Sequence, residues 1–462
     1  MTSVDPVVAA GRLRESGAES AADLLALRDC FLGRIVLEFL GLGELVRERK
    51  ADLFVASGLG DLFDAATASW DAMLDVASDP SFCFWVQTLQ DAVVARSEGR
   101  VARNDIDRII AASGIAPDRF AAAHVAEFGA FVAAAAQRAG ASLDLKEPLA
   151  IPGGMLPSSG TELDAIEPVL IGVHEGKVIW REDAPELPVP TAEVPGWTLR
   201  LHAHGLAFGL RHVERWDRLV GYEQRVAAAR NLTAGMRLLD ETLADFCRHA
   251  GLCSDTCIPM TTDGVTPMAS GSYTRLQGAI FIADSTDPYL TAEMLVHEVS
   301  HTRLSLLEDL APFFGGFSRN EQGHYSPWRD SLRSAEGVLH ALFVHIEIAH
   351  FWSERLKSSS DPALRDRCLR RLWTLLEQLK VGSDHLWRSG NFTEVGRVLL
   401  ERIDADRQII ATRAPPLAEA ALPFFSELKT DPGLAKQPIA SAIAAHRDGV
   451  YAGLYASKIS RV

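Results

Sequence analysis

The stretch TAEMLVHEVSHTRLSLLEDL, residues 291–310, decides how the rest of the chain is read. Met294, Leu295, Leu304, Leu307 and Leu310 recur at intervals that can share one face of a helix, and Thr291 is a candidate cap. Within it, His297-Glu298-Val299-Ser300-His301 sets two histidines four positions apart. On a helix such positions project the same way, one turn apart. Each imidazole can then put a nitrogen about 2.0–2.1 Å from one metal ion. The five-residue pattern also arises by chance, so its setting matters. A strand-like segment, GAIFIADS (278–285), and a polar loop precede the helix, and apolar neighbours can dry the site. The competing reading is a histidine pair on a solvated helix face.

A third ligand is needed to define the coordination. The extended zinc-protease pattern would require glycine at position 304 and histidine at position 307; both are leucine, so that class is excluded. Glu321 follows His301 at a spacing that suits a gluzincin-like protease, although GGFSRNEQGHYSPW (315–328) around it reads as loop. The next helical stretch, SLRSAEGVLHALFVHIEIAHFWSERL (331–356), offers Glu336 and His340, four apart and therefore on one face. In this reading His345 and His350 are turned away. His340 comes first as third ligand, Glu336 and Glu321 follow as alternatives, and His345 stands behind them.

Working outward, residues 1–150 read as helical, from recurring Ala, Leu, Val and Phe in 21–40 and in 119–140, the latter ending at Gly140. Residues 151–215 form a β-rich or linker segment. PVLIGVHEGKVIWRED (168–183) reads as two strands around a short turn, and WTLRLHAHGLAFGL (197–210) begins as an alternating strand carrying His202 and His204. Residues 216–462 read as a mainly helical metal-binding domain, with helical stretches near 289–309, 332–357, 361–381, 384–412 and 434–456. The expected fold class is mainly α with a minor β component: a multi-helical region carrying the HExxH helix, and a small β layer in mid-chain.

Composition bounds the function. Across 462 residues, 46 Lys and Arg stand against 61 Asp and Glu, a net charge of −15. Such a surface repels phosphate backbones and argues against a nucleic-acid partner. At this length roughly three quarters of the unfolded surface can be buried without disulfide staples. The six cysteines are scattered, and Cys247, Cys253 and Cys257 match no common zinc spacing, so they read as ordinary thiols. No basic region followed by an apolar run opens the chain, and FLGRIVLEFLGLGELV (31–46) carries charges and is too short to span a bilayer. The expectation is a soluble cytoplasmic protein with no membrane partner.

Over about residues 265–355 the sequence resembles the HEXXH-motif proteins of peptide-modification gene clusters, 2-oxoglutarate-dependent β-hydroxylases of ribosomally made precursor peptides. The resemblance is carried by SGSYTRLQGAIFIADS (270–285), LVHEVSHTRLSLLEDLAP (295–312) and YSPWRDSLRSAEGVLHALFVHIEIAHFW (325–352), in that order. It departs from the family pattern at Ser334-Ala335-Glu336, where a proline-containing helix start is expected. Residues 1–150 add only a compatible size.

The resemblance implies Fe(II) held by three protein groups, with the remaining positions taken by 2-oxoglutarate and O₂. The distal carboxylate of 2-oxoglutarate then needs a cation, for which Arg329 is preferred slightly over Arg333, with Ser270, Ser272 or Tyr325 adding hydroxyl contacts. Surface pairing of both arginines with Asp330 or Glu336 is the competing reading. Glu298 would orient a ligand histidine or touch substrate in an oxygenase. In the alternative, a zinc metallopeptidase, it would be the general base. Trp328 is a candidate lining of the substrate channel. A third reading is a non-catalytic protein whose N-terminal helices bind a leader peptide. The precursor peptide is the expected partner; whether the chain forms a homodimer is left open.

Overall fold

The computed structural model describes residues 4–15, 18–49, 59–97, 117–141, 149–151, 161–163, 169–174, 177–180, 186–202, 221–260, 270–315, 324–329, 331–389 and 391–413. Among these the chain is mainly helical, with a small mixed sheet in its middle. The helices are α1 (Pro6–Arg12), α2 (Ala18–Arg49), α3 (Leu59–Thr67), α4 (Trp70–Ala77), α5 (Pro80–Ser97), α6 (Pro117–Arg138), α7 (Tyr222–Cys253), α8 (Pro288–Leu310), α9 (Ala335–Ser358), α10 (Pro362–Ser389) and α11 (Glu394–Arg413). The strands are β1 (Leu149–Ile151), β2 (Thr161–Leu163), β3 (Val169–His174), β4 (Lys177–Trp180), β5 (Glu186–Pro188), β6 (Thr191–Val194), β7 (Trp197–Leu201), β8 (Thr256–Met260), β9 (Ser270–Ser272), β10 (Ala279–Ala283), β11 (His324–Ser326) and β12 (Ser331–Arg333). No helix among the described residues is long and apolar enough to cross a membrane.

The described residues pack as two compact units, each assembled from separated stretches. One comprises 28–236 and 250–291, the other 4–27, 237–249 and 292–413. In the first unit the helices close over an aromatic cluster: Phe39 lies 5.2 Å from Phe128 and 5.5 Å from Trp85 between ring centroids. Helix α6 ends as its sequence predicts. Gly140 takes φ +71°, a left-handed value that favours glycine, and the Ala141 amide reaches back to the Ala136 carbonyl. The five-stranded sheet runs in the order β6-β7-β8-β10-β9. Its β7–β8 and β8–β10 pairs are parallel, and the outer pairs are antiparallel. Strands β8 and β10 are buried at every position, which is why β10 reads as an unbroken apolar run. Strands β3 and β4 form the expected hairpin, with His174 opposite Lys177.

In the second unit α9 packs along α10, and both contact α11. Helix α8 begins earlier than the Thr291 cap predicts. Asp287 accepts the Tyr289 amide through Oδ1 at 3.0 Å, Pro288 fills the first helical position, and Thr291 lies inside the helix. Met294, Leu295, Leu304 and Leu307 are buried as one face, whereas Leu310, at the helix end, is exposed. Helix α9 starts at an N-cap: Ser334 Oγ accepts the Gly337 amide at 3.1 Å.

The boundary between the last two described helices differs from the sequence reading. Val381-Gly382-Ser383 looks like a break but lies within α10, and the chain interrupts after Ser389 instead. The reason is packing. A Cβ on Gly382 would fall 2.9 Å from Trp328 Cη2 and 3.2 Å from Leu342 Cδ2, so the glycine admits a close neighbour rather than a turn. The predicted stretch at 434–456 lies outside the described residues.

Candidate metal centre

Helix α8 supplies His297 and His301, whose rings lie 5.0 Å apart, as four-residue spacing on a helix requires. Helix α9 supplies His340 and His345 from its second and third turns. His301 and His340 form one pair, with Nδ1 3.3 Å from Nδ1 and ring planes 22° apart. His297 and His345 form another, with centroids 5.5 Å apart and rings nearly perpendicular. His340 thus lies beside the second motif histidine, and the position of His345 differs from the sequence reading. His345 is not turned away; the crossing of α8 and α9 brings it to the first motif histidine while His340 meets the second. His350 faces elsewhere, 3.6 Å from Glu354.

The surroundings make these rings good metal donors. His301 and His345 are held well below the ordinary histidine pKa range, burial being the largest cause and the neighbouring imidazoles adding to it. At neutral pH both are uncharged, the state a metal requires. His345 Nδ1 donates to the Ala341 carbonyl at 2.7 Å, which leaves Nε2 with its lone pair, and Trp328 stacks on the ring at 4.7 Å. His340 Nε2 lies 3.1 Å from Glu308 Oε2. Glu298 is 2% exposed, with Oε1 3.9 Å from His297 Nε2.

Two nitrogens bound to one ion at tetrahedral or octahedral angles stand about 2.9–3.4 Å apart. The His301–His340 pair meets that test as it stands. Among the described residues no three such groups meet around one point. About a third of the His297 side chain is exposed.

The cations lie on the hairpin of β11 and β12. Pro327, Trp328 and Arg329 form its tip, and Arg333 ends β12 opposite His324. Arg329 is exposed, yet its charge helps depress both His301 and Arg333, so the two guanidiniums and the second motif histidine feel one another. Asp330 and Glu321 lie outside the described residues. Glu336 sits in the first turn of α9, half-buried, and is not grouped with the histidines. Ser270 and Ser272 belong to β9 of the first unit, where they face Ile282 and Ile280 across an antiparallel ladder.

Sequence reasoning missed Glu308. It lies seven residues after His301, two turns along the same face of α8, and that spacing is the signal that could have found it. It also missed the buried ion pairs around Glu347, because their partners come from four distant stretches.

Elsewhere, His202 follows β7 in the first unit and is buried; His204 is outside the described residues. All six cysteines are free thiols, and burial pushes Cys247 up to about 12. No family model matches this chain, and a comparison with curated proteins finds no significant relative.

Proposed function

We propose that the chain is an Fe(II)- and 2-oxoglutarate-dependent hydroxylase acting on a β-carbon of a ribosomally made precursor peptide. One observation carries this reading: the Arg329 guanidinium lies within electrostatic reach of Arg333 and of the buried, uncharged imidazole of His301. A co-substrate that chelates metal through one end and bears a carboxylate at the other needs that arrangement of donors and cation.

His297, His301 and His340 would hold the metal. Bound Fe(II), with 2-oxoglutarate and O₂, supplies the oxidation that turns a C–H into C–OH, giving succinate and CO₂ besides. The chain's own residues do the rest. The depressed basicity of His301 keeps its ring uncharged. Arg329 meets the distal carboxylate, with Arg333 beside it raising the local positive potential. Trp328, stacked on His345, keeps water from one side of the cluster. Glu298, buried against His297, steadies that ring.

The same position of Glu298 favours a second reading, a zinc-dependent peptidase in which it takes a proton from the attacking water. Anaerobic reconstitution of the full chain with Fe(II) and 2-oxoglutarate separates the two. The hydroxylase gives a visible absorption band that needs both components, then succinate when air is admitted. Cleavage of a fluorogenic peptide with Zn(II), indifferent to 2-oxoglutarate and without succinate formation, would overturn it.

A further inference from the structure

His340 is held from both ends of its ring. Nε2 faces Glu308 Oε2 at 3.1 Å and Nδ1 faces His301 Nδ1 at 3.3 Å. Facing an ionised Glu308, which can only accept, a neutral His340 ring carries its proton on Nε2 and its lone pair on Nδ1. That lone pair faces His301 Nδ1 at a separation that already suits two ligands of one ion. Glu308 does this from the helix that carries His297 and His301. One element thus presents two imidazoles and also the carboxylate that grips a third from α9. The grip is partly dry: Glu308 is about nine-tenths buried, and Phe313 lies 6.4 Å from the His340 ring. A carboxylate accepting from the far side of a ligand imidazole fixes its tautomer and raises its donor strength.

We infer that Glu308 is a positioning residue that commits His340 to bind the metal through Nδ1. The inference rests on the metal-centre reading above and deepens it, since it names the binding atom and the group that selects it. It also ranks His340 over His345, whose far nitrogen is held only by a backbone carbonyl of its own helix.

The test uses full-length protein and Co(II), followed by chelator competition and by the ligand-field absorption bands. Glu308→Ala is expected to weaken Co(II) binding by roughly 10–100-fold and to shift the bands at saturating metal. Glu308→Asp should recover part of both, and His340→Ala should lose more than either. A merely structural role would lower the melting temperature and leave the saturated spectrum unchanged. If Glu308→Ala does not fold, Glu308→Gln, which keeps the volume and an acceptor oxygen, should weaken binding severalfold. Wild-type affinity and bands in the Glu308 variants, or wild-type affinity in His340→Ala, overturn the inference while leaving the metal centre in place. A wild-type chain that takes up no Co(II) overturns the metal centre itself.

Discussion

Arg303 Nη1 lies 3.6 Å from Glu347 Oε1, two residues beyond the second motif histidine, with both side chains at most 6% exposed. Arg14 Nη1 approaches the same oxygen at 3.4 Å, and Arg14 Nε pairs with Asp406 at 2.8 Å. Arg303 also donates to the Leu13 carbonyl. This knot joins the chain after α1 to α8, α9 and α11, and so holds the two histidine-bearing helices against each other.

Removing the carboxylate leaves two buried guanidiniums without their shared counter-ion. Glu347→Ala should lower unfolding free energy by about 3–5 kcal/mol, the usual cost of breaking a buried ion pair from one side. Chemical denaturation measures it directly. A loss below about 0.5 kcal/mol, ordinary for a surface change, would show that the charges are not coupled in this way.

Gly382 offers a test whose sign is informative. Alanine normally stabilises a helix interior by about 1 kcal/mol over glycine. Here the new methyl meets Trp328 at 2.9 Å and Leu342 at 3.2 Å. Overpacking of this kind costs about 1–3 kcal/mol. Gly382→Ala should therefore have a lower urea midpoint than wild type; a higher one would mean that Trp328 is not seated on α10.

His202 makes the first unit acid-sensitive. Burial, with Arg200 and Arg225 adding repulsion, lowers its pKa from 6.5 to about 3. The unfolded chain therefore binds a proton that the folded one refuses, so stability is full above about pH 6.5 and is lost as pH falls towards the folded value. Between pH 7 and pH 5 this amounts to about 2 kcal/mol. The difference in unfolding free energy between those two pH values should shrink by that amount in His202→Gln. An equal pH dependence in variant and wild type would place the sensitive group elsewhere.

Arg329→Gln should raise the apparent KM for 2-oxoglutarate by about 10–100-fold in a succinate assay, the loss of one charge-assisted contact worth about 1.5–3 kcal/mol. Arg333→Gln should have the smaller effect. Reversal of that order would give Arg333 the carboxylate and Arg329 the supporting charge.

Glu298→Gln discriminates by what survives. If the carboxylate only steadies His297, the variant should form less succinate yet keep Fe(II), with residual turnover. Abolished succinate formation at undiminished metal content would mean that Glu298 takes part in the chemistry.

Much of the fold was legible because it is local. The apolar spacing that makes α8 amphipathic, the buried run of β10 and the left-handed Gly140 are set by neighbours within a few residues. The motif histidines were legible for the same reason, since four-residue spacing alone brings their rings to 5.0 Å. The gap between the stretches expected at 361–381 and 384–412 closes in the structure, because a glycine needed for close packing and one needed for a turn look alike in one dimension.

By itself, then, the sequence determined the mainly helical class, the motif helix, and His297 and His301 as partners on it. Tertiary structure alone decided which nitrogen faces which. The crossing of α8 and α9 sets His340 against His301 and His345 against His297, and the register of that crossing depends on side-chain packing along both helices rather than on any spacing between them. It decided, too, that Glu308 would reach His340, because a hydrogen bond between residues 32 positions apart exists only once two helices have docked.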